Sequence, residues 1–237
     1  MTTLCRSAGH TEKGKVRRRN EDAILVREDL GLWVVADGLG GHAAGDYAST
    51  LIIKRLGALT REGDVNDFIA AIEDSLQKVN AELRAAAVAQ QVDVIGSTVA
   101  LLVHAPAFVL CGWVGDSRVY VHEDGELTQL TRDHVHGAPF DITHFGASPV
   151  PAAGVLSRAV GVEDTLFVDW AVTGSRPGMQ FLLCSDGINK ELSDCELAHA
   201  CCEPHSPKQL VDRLFALSLA RPARDNISAV IVRLEAT

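Results

Sequence analysis

The sequence predicts an α+β fold in which antiparallel sheet and helix pairs occupy separate layers. Two features predict it: short apolar runs joined by tight turns, and strand groups and helix pairs that are segregated along the chain rather than alternating as βαβ units.

The first strands are expected near residues 23–27 and 32–36, both apolar runs. Two helices follow, over 43–59 and 65–89. In the second, Val65, Phe68, Ile69, Ile72, Leu76, Val79 and Leu83 recur at three- and four-residue steps and lay one stripe on a core. Strands near 97–103, 107–114 and 117–121 come next. His104 to Ala107 and Glu123 to Glu126 have the character of hairpin connections, the latter with an Asp-Gly pair that tolerates positive φ. Strands near 166–172, 180–184 and 227–233 and helices near 193–202 and 207–220 complete the pattern, with Ser206 and Pro207 in cap and first-turn positions. Periodicity lapses between Arg132 and Gly161, where four glycines, three prolines and three histidines suggest a functional flap or a disordered loop. No repeat or linker is visible, so residues 1–237 are expected to form a single domain with an irregular insert at about 132–161.

A hydrophobic content of 47% is ample for a continuous core. The net charge of -9 argues against nucleic acid or an anionic membrane as partner. No run of about 18 uncharged apolar residues occurs, and the amino-terminal segment lacks a signal-type apolar stretch, so a soluble, cytoplasmic monomer is expected. Cys5, Cys111, Cys184, Cys195, Cys201 and Cys202 form no C-x-x-C pair and read as reduced thiols, several of them buried.

The most informative pattern is an acid at the end of an apolar strand. "LWVVADG" ends in Asp37, "LCGWVGDS" in Asp116 and "FLLCSDG" in Asp186, while "RDNISAVIV" begins with Asp225. Glu21 and Asp22 directly precede the strand "AILV". Asp-Gly is a common turn dipeptide, so one instance means little. Several strand-end acids, with Arg17 just upstream of Glu21, form a coincidence that points to a shared rim. Carboxylates gathered in water-poor surroundings repel by roughly 1–4 kcal/mol per pair at about 4 Å, so they need cations to stay ionised. Oxygen ligands suit Mg²⁺ or Mn²⁺ better than zinc, and two such ions can share a carboxylate and an activated water.

The chain resembles the metal-dependent Ser/Thr protein phosphatases of type 2C, bacterial branch, over nearly its whole length. The motifs that carry the likeness are "VRRRNEDA", "VADGLGGHAAG", "GSTVALLV", "GDSRVYV", "LTRDH", "LSRAVG", "LCSDGI" and "RDNISAVIV", in that order. The resemblance implies a four-layer αββα sandwich, two antiparallel β-sheets flanked by antiparallel helix pairs, with a binuclear Mn²⁺ or Mg²⁺ site on one rim. It implies that Asp37 bridges the two ions, that Asp186 and Asp225 bind one, and that the Gly38 carbonyl and Glu21 serve the other. Asp22 would orient a metal-bound water, Arg17 would bind phosphate, and Asp116 would share a weaker third ion with Asp186. His42 is a candidate general acid, or equally a hydrogen-bond partner of the groups behind the metals. The implied reaction is hydrolysis of phosphoserine and phosphothreonine in proteins by direct attack of a metal-bridging water, opposing a bacterial Ser/Thr kinase. The alternative on the same fold is a catalytically weak phosphoprotein-binding regulator. Val135 stands where the family usually has serine, and the flap departs from the common bacterial pattern.

Other readings fit less well. Gly38, Gly40 and Ala43 satisfy G-x-G-x-x-A after a strand, but the next helix leads into another helix and no G-K-[ST] follows. Cys111 and Arg118 have six residues between them where a cysteine-phosphatase loop has five, so Cys111 reads as a buried structural thiol. Arg17 to Arg19 are offset by Glu21 and Asp22, which disfavours a nucleic-acid patch, and His134 and His136 read as solvated loop residues rather than metal ligands.

Overall fold

The computed structural model describes residues 3–40, 44–137 and 155–236. The elements are β1 (Thr3–Glu12), β2 (Asp22–Arg27), β3 (Leu32–Leu39), α1 (Ala44–Gly57), α2 (Val65–Gln90), β4 (Gly96–Ser97), β5 (Val99–His104), β6 (Phe108–Val114), β7 (Arg118–Glu123) and β8 (Glu126–Gln129). They continue with β9 (Asp169–Gly174), β10 (Gln180–Cys184), α3 (Asp186–Asn189), α4 (Asp194–Cys202), α5 (Pro207–Leu219) and β11 (Ile227–Ala236). One sheet runs β1-β11-β10-β7-β8 and the other β2-β3-β5-β6-β9, with β4 beside β3. Every strand pair is antiparallel.

Side-chain alternation along the central strands builds the layers. In β3, Leu32, Val34 and Ala36 face α1 and α2, whereas Trp33 and Val35 face the opposite sheet. In β11, Ala229 and Ile231 meet α4 and α5, and Val230 and Val232 point inward between the sheets. The same division holds in β10, with Leu182 and Cys184 outward and Phe181 and Leu183 inward. These strands are therefore apolar on both faces, and the product is the αββα sandwich. The stripe on α2 is core: Phe68, Ile72, Leu76, Val79 and Leu83 are all buried.

Local signals set the boundaries. Asp64 caps α2 in a reciprocal box with Asp67, and Ser206 does the same for α5 with Gln209, Pro207 opening the first turn. Asp124 and Gly125 both take positive φ, 51° and 84°, as the β7–β8 hairpin requires. α1 ends at Gly57, two residues short of the expected end, and Leu59 closes a turn back onto Leu56. Three elements carry no clear sequence signal. β1 and β8 are the two edge strands of one sheet, half-solvated and polar, and α3 is a single turn.

Cys111 is buried between the sheets, burial pushes its thiol up, and Arg118 is paired with Asp133, so no thiolate cradle exists. None of the six cysteines is in a disulfide; Cys111, Cys184 and Cys201 are buried. Among the described residues no helix is long and apolar enough to cross a membrane.

His134 differs from the solvated loop histidine expected from sequence. Its side chain is only 10% exposed and stacks on Trp113 at 6.0 Å. The Gly115 N–H donates to its Nδ1 at 3.0 Å, and its Nε2 stands 3.0 Å from Asp169 Oδ2 and 3.1 Å from Arg158 Nη1. It pins the start of the insert, whose neck closes through the Val135–Leu156 bridge. The insert's residues 138–154 lie outside the described residues.

Phe181→Ala, which empties a fully buried site between the sheets, is expected to cost ~3–5 kcal/mol in denaturant unfolding. Val172→Ala on exposed β9 should stay within about 0.5 kcal/mol.

Candidate metal centre

Five acids from distant segments line one cleft of about 290 Å³ together with Arg17, Gly38 and Lys190. Glu21 immediately precedes β2, Asp37 lies near the end of β3, Asp116 follows β6, Asp186 opens α3 straight after β10, and Asp225 precedes β11. The antiparallel order of the two sheets brings these ends to a common rim.

Main chain fixes the acids. Ser97 Oγ donates to the Asp37 carbonyl at 2.9 Å, Thr98 N–H donates to the same oxygen at 2.8 Å, and Asp37 N–H donates to Thr98 Oγ1 at 3.1 Å. Asn226 is buried and links three segments: its Oδ1 accepts from Glu21 N–H, and its Nδ2 donates to the carbonyls of Lys13 and Arg19, each at 2.9 Å. The loop carrying Arg17 and Glu21 is thereby tied to the strand that Asp225 introduces.

The glycines beside Asp37 and Asp186 serve close approach rather than turning. Neither Gly38 nor Gly187 has positive φ. A Cβ on Gly38 would sit 2.0 Å from the Gly45 carbonyl oxygen, and one on Gly187 would sit 1.9 Å from that of Asn226. The repeated Asp-Gly pair therefore records backbone crowding behind each acid.

Burial is the main force on these carboxyls. It pushes Asp116 up to about 6, with the Asp186 charge adding to the effect. Asp22 also rises to about 6 through burial, against the opposing pull of hydrogen bonds from Ser228 and Ser185. Asp37 is held well above the usual carboxylate range by burial and by the Asp22, Asp186, Asp116 and Asp225 charges. Asp186 and Glu21 are raised as well, again chiefly by burial.

Two cations answer this charge. Arg17 makes a paired contact with Asp225, Nε to Oδ1 at 2.8 Å and Nη2 to Oδ2 at 2.9 Å. Lys190 donates to Asp186 and stands 3.8 Å from Asp225. As they stand, no three His, Cys, Asp or Glu side chains among the described residues close into a ligand shell. The donors nonetheless suit a hard divalent ion. The cleft is lined by carboxylates, with no thiol or imidazole among the described lining residues, and Asp186 Oδ1 is buried without a hydrogen-bond donor.

The structure thus brings together Arg17, Glu21, Asp37, Gly38, Asp116, Asp186 and Asp225. Asp22 does not line the cleft. It is the cross-strand partner of Asp37, buried, and accepts at Oδ2 from the Ser185 and Ser228 hydroxyls, each at 2.7 Å. His42 lies outside the described residues. Sequence reasoning passed over Asn226, Ser185, Ser228 and Lys190. Asn226 and Ser185 sit inside the quoted motifs beside Asp225 and Asp186, and a polar residue next to a strand-end acid is the signal that would have found them.

The fold and this rim place the chain in the protein phosphatase 2C family, whose family model, described as Protein phosphatase 2C, matches residues 8–227. Among curated relatives it is similar to the serine/threonine protein phosphatase PstP of Mycobacterium tuberculosis, 32% identical over 240 residues. That match covers 98% of this chain but 45% of the relative, so the chain spans about half of that protein's length. Serine/threonine phosphatase stp of Listeria monocytogenes is 29% identical, with 96% of this chain and 95% of the relative covered. Among solved structures, PppA, described as a key regulatory component of T6SS in Pseudomonas aeruginosa, superimposes with a TM-score of 0.90 at 40% identity, covering 98% of this chain and 99% of that one. The catalytic domain of PstP in complex with 2 manganese ions gives 0.85 at 28% identity, covering 99% and 100%.

Raised carboxyls make folding take up protons, so their contribution to stability is complete below the ordinary carboxylate range and is lost as pH rises through about 6. In chelator, the thermal midpoint should fall between pH 5 and 7.5, and Asp116→Asn should flatten the slope. A midpoint that climbs over that interval, with Asn at 116 making no difference, contradicts this account of the site.

Proposed function

We propose that the chain is a metal-dependent protein-serine/threonine phosphatase that removes phosphate from phosphoserine and phosphothreonine and opposes a Ser/Thr kinase in a cytoplasmic circuit. The observation that carries this reading is the meeting of Arg17 and five acids, from separate segments of a 2C fold, in one cleft. The chain is read as one phosphatase domain acting as a monomer.

Asp37 is central among the acids, as its sensitivity to four neighbouring carboxylates indicates, and is the proposed shared ligand. Asp186 and Asp225 would complete one metal position, and Glu21 with the Gly38 carbonyl the other. Two divalent ions held there would supply Lewis acidity, lowering the pKa of water and neutralising phosphoryl oxygens. Manganese or magnesium suits the oxygen donors, and the manganese complex of the PstP catalytic domain supports that choice. Asp22 stands across from Asp37 behind the cleft, its carboxylate fixed by two serine hydroxyls, and is the proposed acid that orients a metal-bound water.

Arg17 is exposed at the mouth, and its fork matches two phosphate oxygens. Its present partner is Asp225, a proposed metal ligand, so the guanidinium is the group that exchanges an acid for the substrate's phosphate. His42 remains the candidate proton donor to the departing Ser or Thr oxygen. The likeness to PppA supports a regulatory role for the chain, in a circuit of the T6SS type.

Hydrolysis of a phosphothreonine peptide with Mn²⁺ should be abolished by EDTA and reduced on the order of 10²–10³-fold by Asp37→Asn. Arg17→Met should lower kcat/KM about 10–100-fold, the equivalent of a charged hydrogen bond at ~1.5–3 kcal/mol. Turnover that persists unchanged in chelator excludes the reading.

A further inference from the structure

The resemblance to the family leads to the expectation of a third, weaker ion shared by Asp116 and Asp186. The structure sets a lysine there. Lys190 follows α3 by one residue, and its N–H donates to the Asp186 carbonyl at 2.8 Å, so one helical turn fixes where the side chain starts. Its ammonium donates to Asp186 Oδ2, stands 3.8 Å from Asp225 Oδ2 and acts electrostatically on Asp116. Two of the five cleft acids thus share one amine, and a third, Asp116, feels its charge.

Charge accounting gives this lysine a task. Glu21, Asp22, Asp37, Asp116, Asp186 and Asp225 carry six negative charges when ionised. Two divalent ions leave two of them uncompensated, and among the described residues the cations that form ion pairs with these acids are Arg17 and Lys190. Arg17 must turn toward substrate, whereas Lys190, anchored one helical turn from Asp186, stays.

We propose that Lys190 is a positioning residue whose ammonium takes the place of the third cation, holding Asp186 and Asp116 so that the centre works with two divalent ions. This rests on the metal-dependent reading above, and it assigns a role to a residue of this chain rather than to a further metal. Removing the amine should leave Asp116 and Asp186 facing each other with a charge to satisfy, and a divalent ion is the available replacement. An arginine keeps the charge and should not open that site.

The test is Mn²⁺ stoichiometry by calorimetry and by electron paramagnetic resonance, without substrate. The wild-type chain should bind two ions, Lys190→Arg two, and Lys190→Met a third, weaker one that Asp116→Asn in the same background removes. In the otherwise wild-type chain, Asp116→Asn should still bind two. If wild type already binds three and Asp116→Asn loses one, or if Lys190→Met stays at two, the proposal is overturned. Should Lys190→Met fail to fold, Lys190→Gln, which removes the charge but keeps a polar side chain, takes its place in the same count. A wild-type chain that binds no Mn²⁺ instead defeats the metal-dependent reading itself, so the two failures are distinct.

Discussion

The rest of the structure answers to the mutual repulsion of acids on one partly buried rim. Water is thin there, so each carboxylate is costly to ionise, and its neighbours make it costlier. The protein meets that cost with fixed donors and cations from far along the chain. Ser185 and Ser228 hydroxyls serve Asp22, Asn226 ties the Arg17–Glu21 loop to the Asp225 segment, and Arg17 and Lys190 carry positive charge to the open side. The sheets can be seen as the scaffold that forces these groups to coexist. Antiparallel order turns the strand ends to the same side, and apolar residues on both faces of β3, β10 and β11 lock the order in place.

Much of this was legible from residues alone. The central strands announce themselves by apolar runs because they are buried on both faces, and α2 by its stripe because one side meets a core. The acids were legible because each stands at or beside one end of a strand. What escaped was set by partners rather than by local pattern. β1 is polar and half-exposed, and it is a strand because β11 lies beside it over ten residues of register. Asn226 carries no signature of its own, and its importance comes from three backbone groups that only folding brings within reach. Asp-Gly at 37–38 and 186–187 resembled turn chemistry, whereas the structure explains it by neighbouring backbone too close for a Cβ.

The insert between Arg132 and Gly161 leaves from a rigid base. Arg118 holds Asp133 through both oxygens, with bonds of 2.7 to 3.1 Å, and His134 is wedged between Trp113, Gly115 and Asp169. Arg158 on the returning side donates to the same Asp169 at 3.1 Å. Leu156, next to that neck, lines the cleft. The apolar wall of the site is thus tied to the outer edge strand β9, which couples the mouth of the cleft to the sheet rather than to solvent.

β11 occupies an interior place in its sheet, between β1 and β10, although it comes last in sequence among the described strands. Its partner Thr3 lies opposite Ala236, so the ladder joins segments more than two hundred positions apart. Such distant pairing is slow to form because the intervening chain must be ordered first. Until β11 has docked between β1 and β10, therefore, the sheet is open at its middle and Asp225, which leads into β11, is not held on the rim with the other acids.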